Sequence, residues 1–234
     1  MMRPVAQTYL LNVLAVTDVN ARMRRVTVGG DTLADFTPWP GQDVVLHLVS
    51  AEGAGVRRRY TIRNYEPANR RFDLDFVRHG HGPGALWAES ARPGDEVEVF
   101  GPRGKVAVSG AGWQLLAGDE SALPAIAEIA QALPVGTKVT ALIEVDNPDD
   151  EQPLQAAADL DVRWLYREGA APGTSELLDQ ALAEAGFAPS DRHVYLFGES
   201  RVVRRLRDLA AAAGLSPDEI SAKGYWNVGR ETRG

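Results

Sequence analysis

The segment Arg57-Arg58-Arg59-Tyr60-Thr61-Ile62-Arg63 sets a fixed cation, a flat aromatic ring and a small hydroxyl at strand-like alternation. His79-Gly80-His81-Gly82-Pro83-Gly84-Ala85-Leu86-Trp87 follows, a glycine-rich turn opening a short helix. Alternate side chains of a strand share a face, so Arg58 and Tyr60 project together, while Arg59 and Thr61 point the other way unless the strand end twists. A guanidinium grips phosphate oxygens as a fork, and a tyrosine ring stacks on a flat heterocycle. Gly80, Gly82 and Gly84 let backbone approach an anion, and a helix begun near Ala85 aims free N–H groups at it; Ala85 and Leu86 can offer only backbone there. A large apolar ring joined to a doubly charged pyrophosphate needs these groups, so together the two segments suit a flavin dinucleotide. Taken singly, each also has a plain reading: an arginine run is commonly a solvated face, and Tyr-Thr is ordinary strand composition.

Composition narrows the setting. The chain has 234 residues, enough for one large domain or two ordinary ones, and two is the reading adopted. Hydrophobic content of 44% against 24% charged residues supports packed cores rather than disorder. A net charge of −7 argues against nucleic acid as a partner. The absence of cysteine removes disulfides, iron–sulfur clusters and thiol nucleophiles, so redox chemistry has to come from a bound cofactor. No stretch approaches the roughly 20 apolar residues of a membrane span or the core of a signal peptide, and a cytoplasmic monomer is expected. His79 and His81 form an H-x-H pair with no further ligand cluster nearby, so no protein-bound metal is expected.

The elements that must position these residues change character part-way along. Strands are expected at Thr8–Val13, Arg24–Val28, Asp43–Val49, Arg58–Asn64, Phe72–Val77 and Glu96–Phe100, with one helix at Gly84–Ser90. That is a six-stranded antiparallel Greek-key barrel, assigned to residues 1–108. Two turn-rich clusters, Gly101-Pro102-Arg103-Gly104 and Ser109-Gly110-Ala111-Gly112, bracket one further short strand. Past them, strands at Trp113–Ala117, Lys138–Val145, Val162–Tyr166 and His193–Phe197 alternate with helices at Ser121–Leu133, Ser175–Ala185 and Ser200–Ala213. This implies a Rossmann-like parallel α/β domain over residues 109–234 with a C-terminal extension. Its ligands should bind beyond the strand C-termini, which carry Gly118-Asp119-Glu120-Ser121, Asp146-Asn147, Arg167-Glu168 and Gly198-Glu199. No G-x-G-x-x-G follows the first of these strands.

The order Arg58-x-Tyr60-Thr61-x-Arg63, His79-Gly80-x-Gly82-Pro83, Pro93-Gly94-Asp95 and Gly101-Pro102-Arg103-Gly104 resembles the siderophore-interacting proteins, a branch of the ferredoxin-reductase superfamily. The likeness continues through Gly118-Asp119-Glu120-Ser121-Ala122-Leu123-Pro124 and Gly198-Glu199 to Gly224-Tyr225-Trp226, nearly the whole chain. It implies an FAD-dependent NAD(P)H reductase of ferric siderophores, acting in iron uptake. A general flavin reductase, a protein-partnered reductase and a flavin-free siderophore-binding module are the alternatives.

The resemblance also implies roles. Arg58 holds the flavin phosphates, Tyr60 packs on the isoalloxazine, and the Thr61 hydroxyl reaches flavin N5. Arg63 matches a position of the family, whereas Arg57 and Arg59 can be plain solvated charge. His79 lies near the flavin. Asp119 and Glu120 either cap a helix or help to place nicotinamide or ribose. Arg167 and Arg201 are the cations available to a 2′-phosphate should the donor be NADPH rather than NADH. Where relatives carry basic residues this chain has neutral Val45 and Asn227, leaving chiefly Lys223 and Arg230 to bind an anionic ferric chelate.

Overall fold

Strand β1 (Gln7–Asp18) buries Tyr9, Leu11 and Val13 and exposes the residues between them, the period-two pattern of a sheet with one face on a core. A computed structural model describes residues 5–50, 53–80, 82–187 and 189–229, which divide into two units between Ala107 and Val108.

In the first unit β1 is joined by β2 (Met23–Gly29), β3 (Asp43–Val49), β4 (Gly55–Thr61), β5 (Arg63–Glu66), β6 (Arg71–Val77) and β7 (Glu96–Arg103). Neighbours run antiparallel in the order β4-β3-β7-β1-β2-β6-β5. β4 and β5 lie at opposite ends of that order, yet only Ile62 separates them in sequence. The sheet must therefore curl until its two ends meet at Ile62, which is 3% exposed and donates its N–H to the Gln42 carbonyl at 2.9 Å. This closes the expected Greek-key barrel with seven strands rather than six. The single strand expected over 58–64 turns a corner at Ile62 and pairs with a different neighbour on each side. Phe36 anchors the core, with Tyr9 edge-on at 5.2 Å and Phe72 stacked at 5.4 Å. Helix α1 (Pro83–Ser90) packs beside β4 and β6. The short strand expected before residue 109 is not there: β7 runs on to Arg103, and residues 104–112 are irregular.

The second unit alternates strands and helices: β8 (Trp113–Asp119), α2 (Leu123–Ala132), β9 (Lys138–Val145), β10 (Asp159–Tyr166), α3 (Leu177–Ala185), β11 (Arg192–Glu199), α4 (Ser200–Ala212) and β12 (Ile220–Trp226). All strand pairs are parallel, in the order β10-β9-β8-β11-β12. The order reverses between β8 and β11, so the ligand crevice of such a sheet lies beyond Asp119 and Glu199. β12, expected only as an extension, is an edge strand. Its sequence, Ile-Ser-Ala-Lys-Gly-Tyr-Trp, has no apolar run because an edge position buries little. Among the described residues no helix is long and apolar enough to cross a membrane.

Candidate functional site

In the first unit, Arg58 and Tyr60 are half-buried and pair with the buried Leu46 and Val44 of β3, while Arg57 and Arg59 between and before them are exposed. The expected alternation thus holds along β4. Tyr60 rests its ring on Phe76, centroids 4.0 Å apart, and Phe76 meets Trp87 of α1 at 5.4 Å. Burial pushes the Tyr60 phenol well above its ordinary pKa, although the Arg58 cation pulls the other way, so the hydroxyl stays protonated at neutral pH. Thr61 is buried opposite Asp43.

The glycine-rich turn carries positive φ at Gly80 (76°) and Gly82 (82°), a conformation that favours glycine. His79 is exposed, with its ring beside Gly82. Gly82 caps α1 without a side-chain partner, Pro83 has no N–H, and no acidic residue occupies the first turn. The first helical bond is Leu86 N–H to the Gly82 carbonyl, 3.0 Å. The expected donor pair Ala85 and Leu86 is therefore corrected: Leu86 spends its N–H inside the helix, and the first-turn donors belong to Gly84 and Ala85. Arg63, a family position expected on the same strand as Arg58, is not on that strand. It stands past the corner, on β5, with its Nε 3.5 Å from Asp75, a buried carboxylate also held by Arg25 at 2.6 and 2.8 Å.

In the second unit, Asp119 ends β8 at the reversal point. Its Oδ1 accepts the Ser121 N–H at 2.9 Å and the Ser121 hydroxyl; its Oδ2 accepts the Glu199 N–H at 3.0 Å and the Trp226 indole at 2.9 Å. Burial, helped by the neighbouring Glu120 charge, raises its pKa from 3.8 to about 6. Gly198 must lack a side chain, because a Cβ there would come within 2.6 Å of Asp119 Oδ2. Glu199, wholly buried, caps α4 by accepting the N–H groups of Arg201 and Val202, and it also accepts that of Val228 at 3.1 Å.

Arg167 departs from expectation. Its side chain is entirely buried and grips Glu120 with two bonds of 2.7 and 2.8 Å, with Glu144 at 3.4 Å. A strand-end position in the sequence suggested a cation open to a 2′-phosphate, but the two carboxylates draw this one inwards. Arg201 is exposed on the first turn of α4. Lys223 lies on β12 with its ammonium 5.0 Å from the centre of the Tyr225 ring. Arg230 lies outside the described residues.

Residues 111–229 match the siderophore-interacting protein family and residues 47–106 match the siderophore-interacting FAD-binding domain. The chain belongs to the siderophore-interacting protein family. It is similar to an uncharacterized protein of Mycobacterium tuberculosis, 33% identical over 95% of this chain and 91% of the relative. The NADPH-dependent ferric-chelate reductase of Escherichia coli is 30% identical over 93% of this chain and 92% of its own. A crystal structure of a siderophore utilization protein from T. fusca superposes with a TM-score of 0.90 at 35% identity, covering 98% of this chain and 96% of that one.

As a siderophore-interacting protein, the chain has groups that fit FAD. The Arg58 cation, the backbone donors of Gly84 and Ala85, and the lack of any acid in the first turn of α1 are the kinds of group a pyrophosphate would need. Phe76, which backs Tyr60, was not among the expected residues, and its place in the alternating Phe72-Leu74-Phe76 face of β6 was its hint. Glu199 and Trp226 converge on Asp119 from 80 and 107 residues away, and nothing local in the sequence announces that meeting.

Proposed function

We propose that this chain is an NAD(P)H-dependent FAD reductase of ferric siderophores or kindred ferric chelates, releasing the iron as Fe(II). The donor set of Arg58, Gly84 and Ala85, lying within the segment that matches the siderophore-interacting FAD-binding domain, carries this reading. The ferric-chelate reductase named in Escherichia coli supports the substrate class. Bound FAD would supply the redox chemistry, coupling the two-electron oxidation of NAD(P)H by hydride loss to the one-electron reduction of two ferric ions, with one proton released.

The residues do the placing. Arg58 and the first-turn N–H groups hold the pyrophosphate, while the Tyr60 ring, fixed on Phe76, presents an uncharged face to the isoalloxazine. Thr61, buried at the end of β4, offers its hydroxyl to N5, and His79 flanks the turn. Arg63 acts through Asp75 to brace the corner at Ile62. In the second unit Asp119 and Glu199 shape the crevice for the nicotinamide. Glu120 and Arg167 support it from inside, and Arg201 is the cation left for a 2′-phosphate. Lys223 and Arg230 are assigned to the chelate. Reduction of Fe(III) weakens its hold on hard oxygen ligands, which frees the metal.

The test is anaerobic. Protein loaded with FAD is mixed first with NADH or NADPH and then with a ferric chelate, while flavin absorbance and Fe(II) capture by a chromogenic ligand are followed. Bleaching by nicotinamide and recovery on adding chelate, with two Fe(II) per flavin, is expected. Protein that binds no flavin, or whose reduced flavin is not reoxidised by any ferric chelate, refutes the proposal.

A further inference from the structure

The open sheet of the second unit ends on β10, a strand with a neighbouring strand on one side only. Asp159 and Arg167 donate their N–H groups to the carbonyls of Thr137 and Val145, on the β9 side, each at 2.9 Å. Alternate residues of a strand turn their N–H and C=O groups to the same side, so Asp159, Asp161, Arg163 and Leu165 bond towards β9. Leu160, Val162, Trp164 and Tyr166 turn theirs outwards, where no strand meets them among the described residues. An edge of this kind is a template for another chain unless something blunts it. Proline and bulges are absent here, since the pairing with β9 runs unbroken from Asp159 to Tyr166.

Charge is the remaining guard, and its arrangement on β10 invites a partner instead. Leu160, Val162 and Trp164 are half-buried on one face of the strand, while Asp159, Asp161 and Arg163 are exposed on the other. Asp159 has a counter-charge on β9, Lys138, at 3.6 Å. Asp161 and Arg163 lie beside the neutral Thr140 and Leu142. Arg163 turns back along its own strand, its Nε 2.9 Å from Asp161, with the acid side chain 57% and the arginine 48% exposed. An acid and a base flank the outward-facing Val162, one on each side. Reversing the strand about Val162 exchanges their places.

From this pattern we infer that β10 is a dimerisation edge, pairing antiparallel with β10 of a second copy about a two-fold axis at Val162. In that register Val162 meets its own counterpart and Leu160 meets the partner's Trp164, as hydrogen-bonded pairs that use the outward N–H and C=O groups. Asp161 meets the partner's Arg163 in the non-hydrogen-bonded pair, where opposed Cα atoms are only about 4.5 Å apart, and the symmetry makes that ion pair twice. Sliding the axis by one residue sets Asp161 against its own copy, or Arg163 against its own copy. Moving it to Leu160 sets Asp161 against the partner's Asp159. Opposite charges attract across a strand pair and like charges repel, so the register at Val162 is selected. The other edge strand, β12, carries Lys223 and no acid, and offers no such match. A second copy is the occupant because the strand complements its own sequence. This differs from the monomer expected from the sequence, and it stands apart from the function proposed above.

Sedimentation velocity of the full chain over a wide range of concentration tests the pairing. The parent should move from one to two chain masses as concentration rises. Arg163→Asp leaves acids facing acids and Asp161→Arg leaves bases facing bases, so each variant should self-associate about tenfold more weakly than the parent. Mixed in equal amounts, the two variants face acid to base at both pairs and should associate with each other as the parent does with itself. Restored association in the mixture also shows that each variant is folded. A parent that stays monomeric into the millimolar range overturns the inference. So does a dimer that both charge variants leave intact, or a mixture of the two variants that fails to associate.

Discussion

The Tyr60 hydroxyl fills the place where a side chain at Gly84 would begin: a Cβ built on Gly84 lies 1.9 Å from Tyr60 Oη and 2.9 Å from its Cζ. The demand for glycine here comes from a side chain 24 residues earlier in the sequence, not from φ, since Gly84 lies within α1. Gly84→Ala should therefore push the ring off Phe76, costing about 1–3 kcal/mol, and the purified protein should carry less FAD. Adding Tyr60→Phe removes the closest clash but not the one at Cζ, so it should restore part of the stability and no more. A urea midpoint and a flavin-to-protein absorbance ratio check both points; an alanine variant with parental values would mean the helix can shift at no cost.

The buried Arg167 makes a prediction opposite to that of a phosphate-binding cation. Arg167→Met leaves Glu120 and Glu144 buried beside no counter-charge and should destabilise the chain by about 3–5 kcal/mol. Glu120→Gln combined with Arg167→Met should be milder than Arg167→Met alone. Denaturant titration of the three proteins measures the coupling. Any change in KM should be the same for NADPH and NADH, and a selective loss of NADPH would put Arg167 back at the 2′-phosphate.

Arg201 carries the reverse expectation. It is exposed on the first turn of α4, so Arg201→Ala should leave stability nearly unchanged and raise KM for NADPH more than for NADH. Steady-state kinetics with both donors decides, and parallel changes would reduce Arg201 to surface charge.

Asp119 links stability to pH. Its pKa is 3.8 ordinarily and about 6 in the folded chain, so between these values the native state holds a proton that the unfolded state has lost. Stability from this group is then greatest below about pH 4, declines as pH rises towards 6 and is level above. Asp119→Asn cannot titrate. The difference in urea midpoint between parent and variant should shift against the parent across that window and stay constant above it, and identical profiles would show that Asp119 is ionised throughout.

Much of this was legible in the sequence because it is periodic or compositional. Alternation along 57–61 separated the Arg58 and Tyr60 face from the Arg57 and Arg59 face, and the change from strands to alternating strands and helices near residue 110 announced an antiparallel barrel followed by a parallel sheet. Glycines at 80 and 82 marked a turn whose positive φ the structure shows. These features follow from backbone sterics and from the burial of one face, which act over a few residues at a time.

Tertiary structure alone decided the rest. It split the strand over 58–64 at Ile62, because the two ends of a closing sheet had to meet there, and so moved Arg63 to Asp75. It turned Arg167 inwards to a carboxylate 47 residues away and brought Trp226 to Asp119 across 107 residues. It enlisted Ile220–Trp226 as an edge strand. Each of these outcomes depends on which desolvated charge or unpaired strand edge finds a partner in space. Local pattern shows that an arginine or a carboxylate is present, but the cost of burying it unpaired is settled only when distant segments meet.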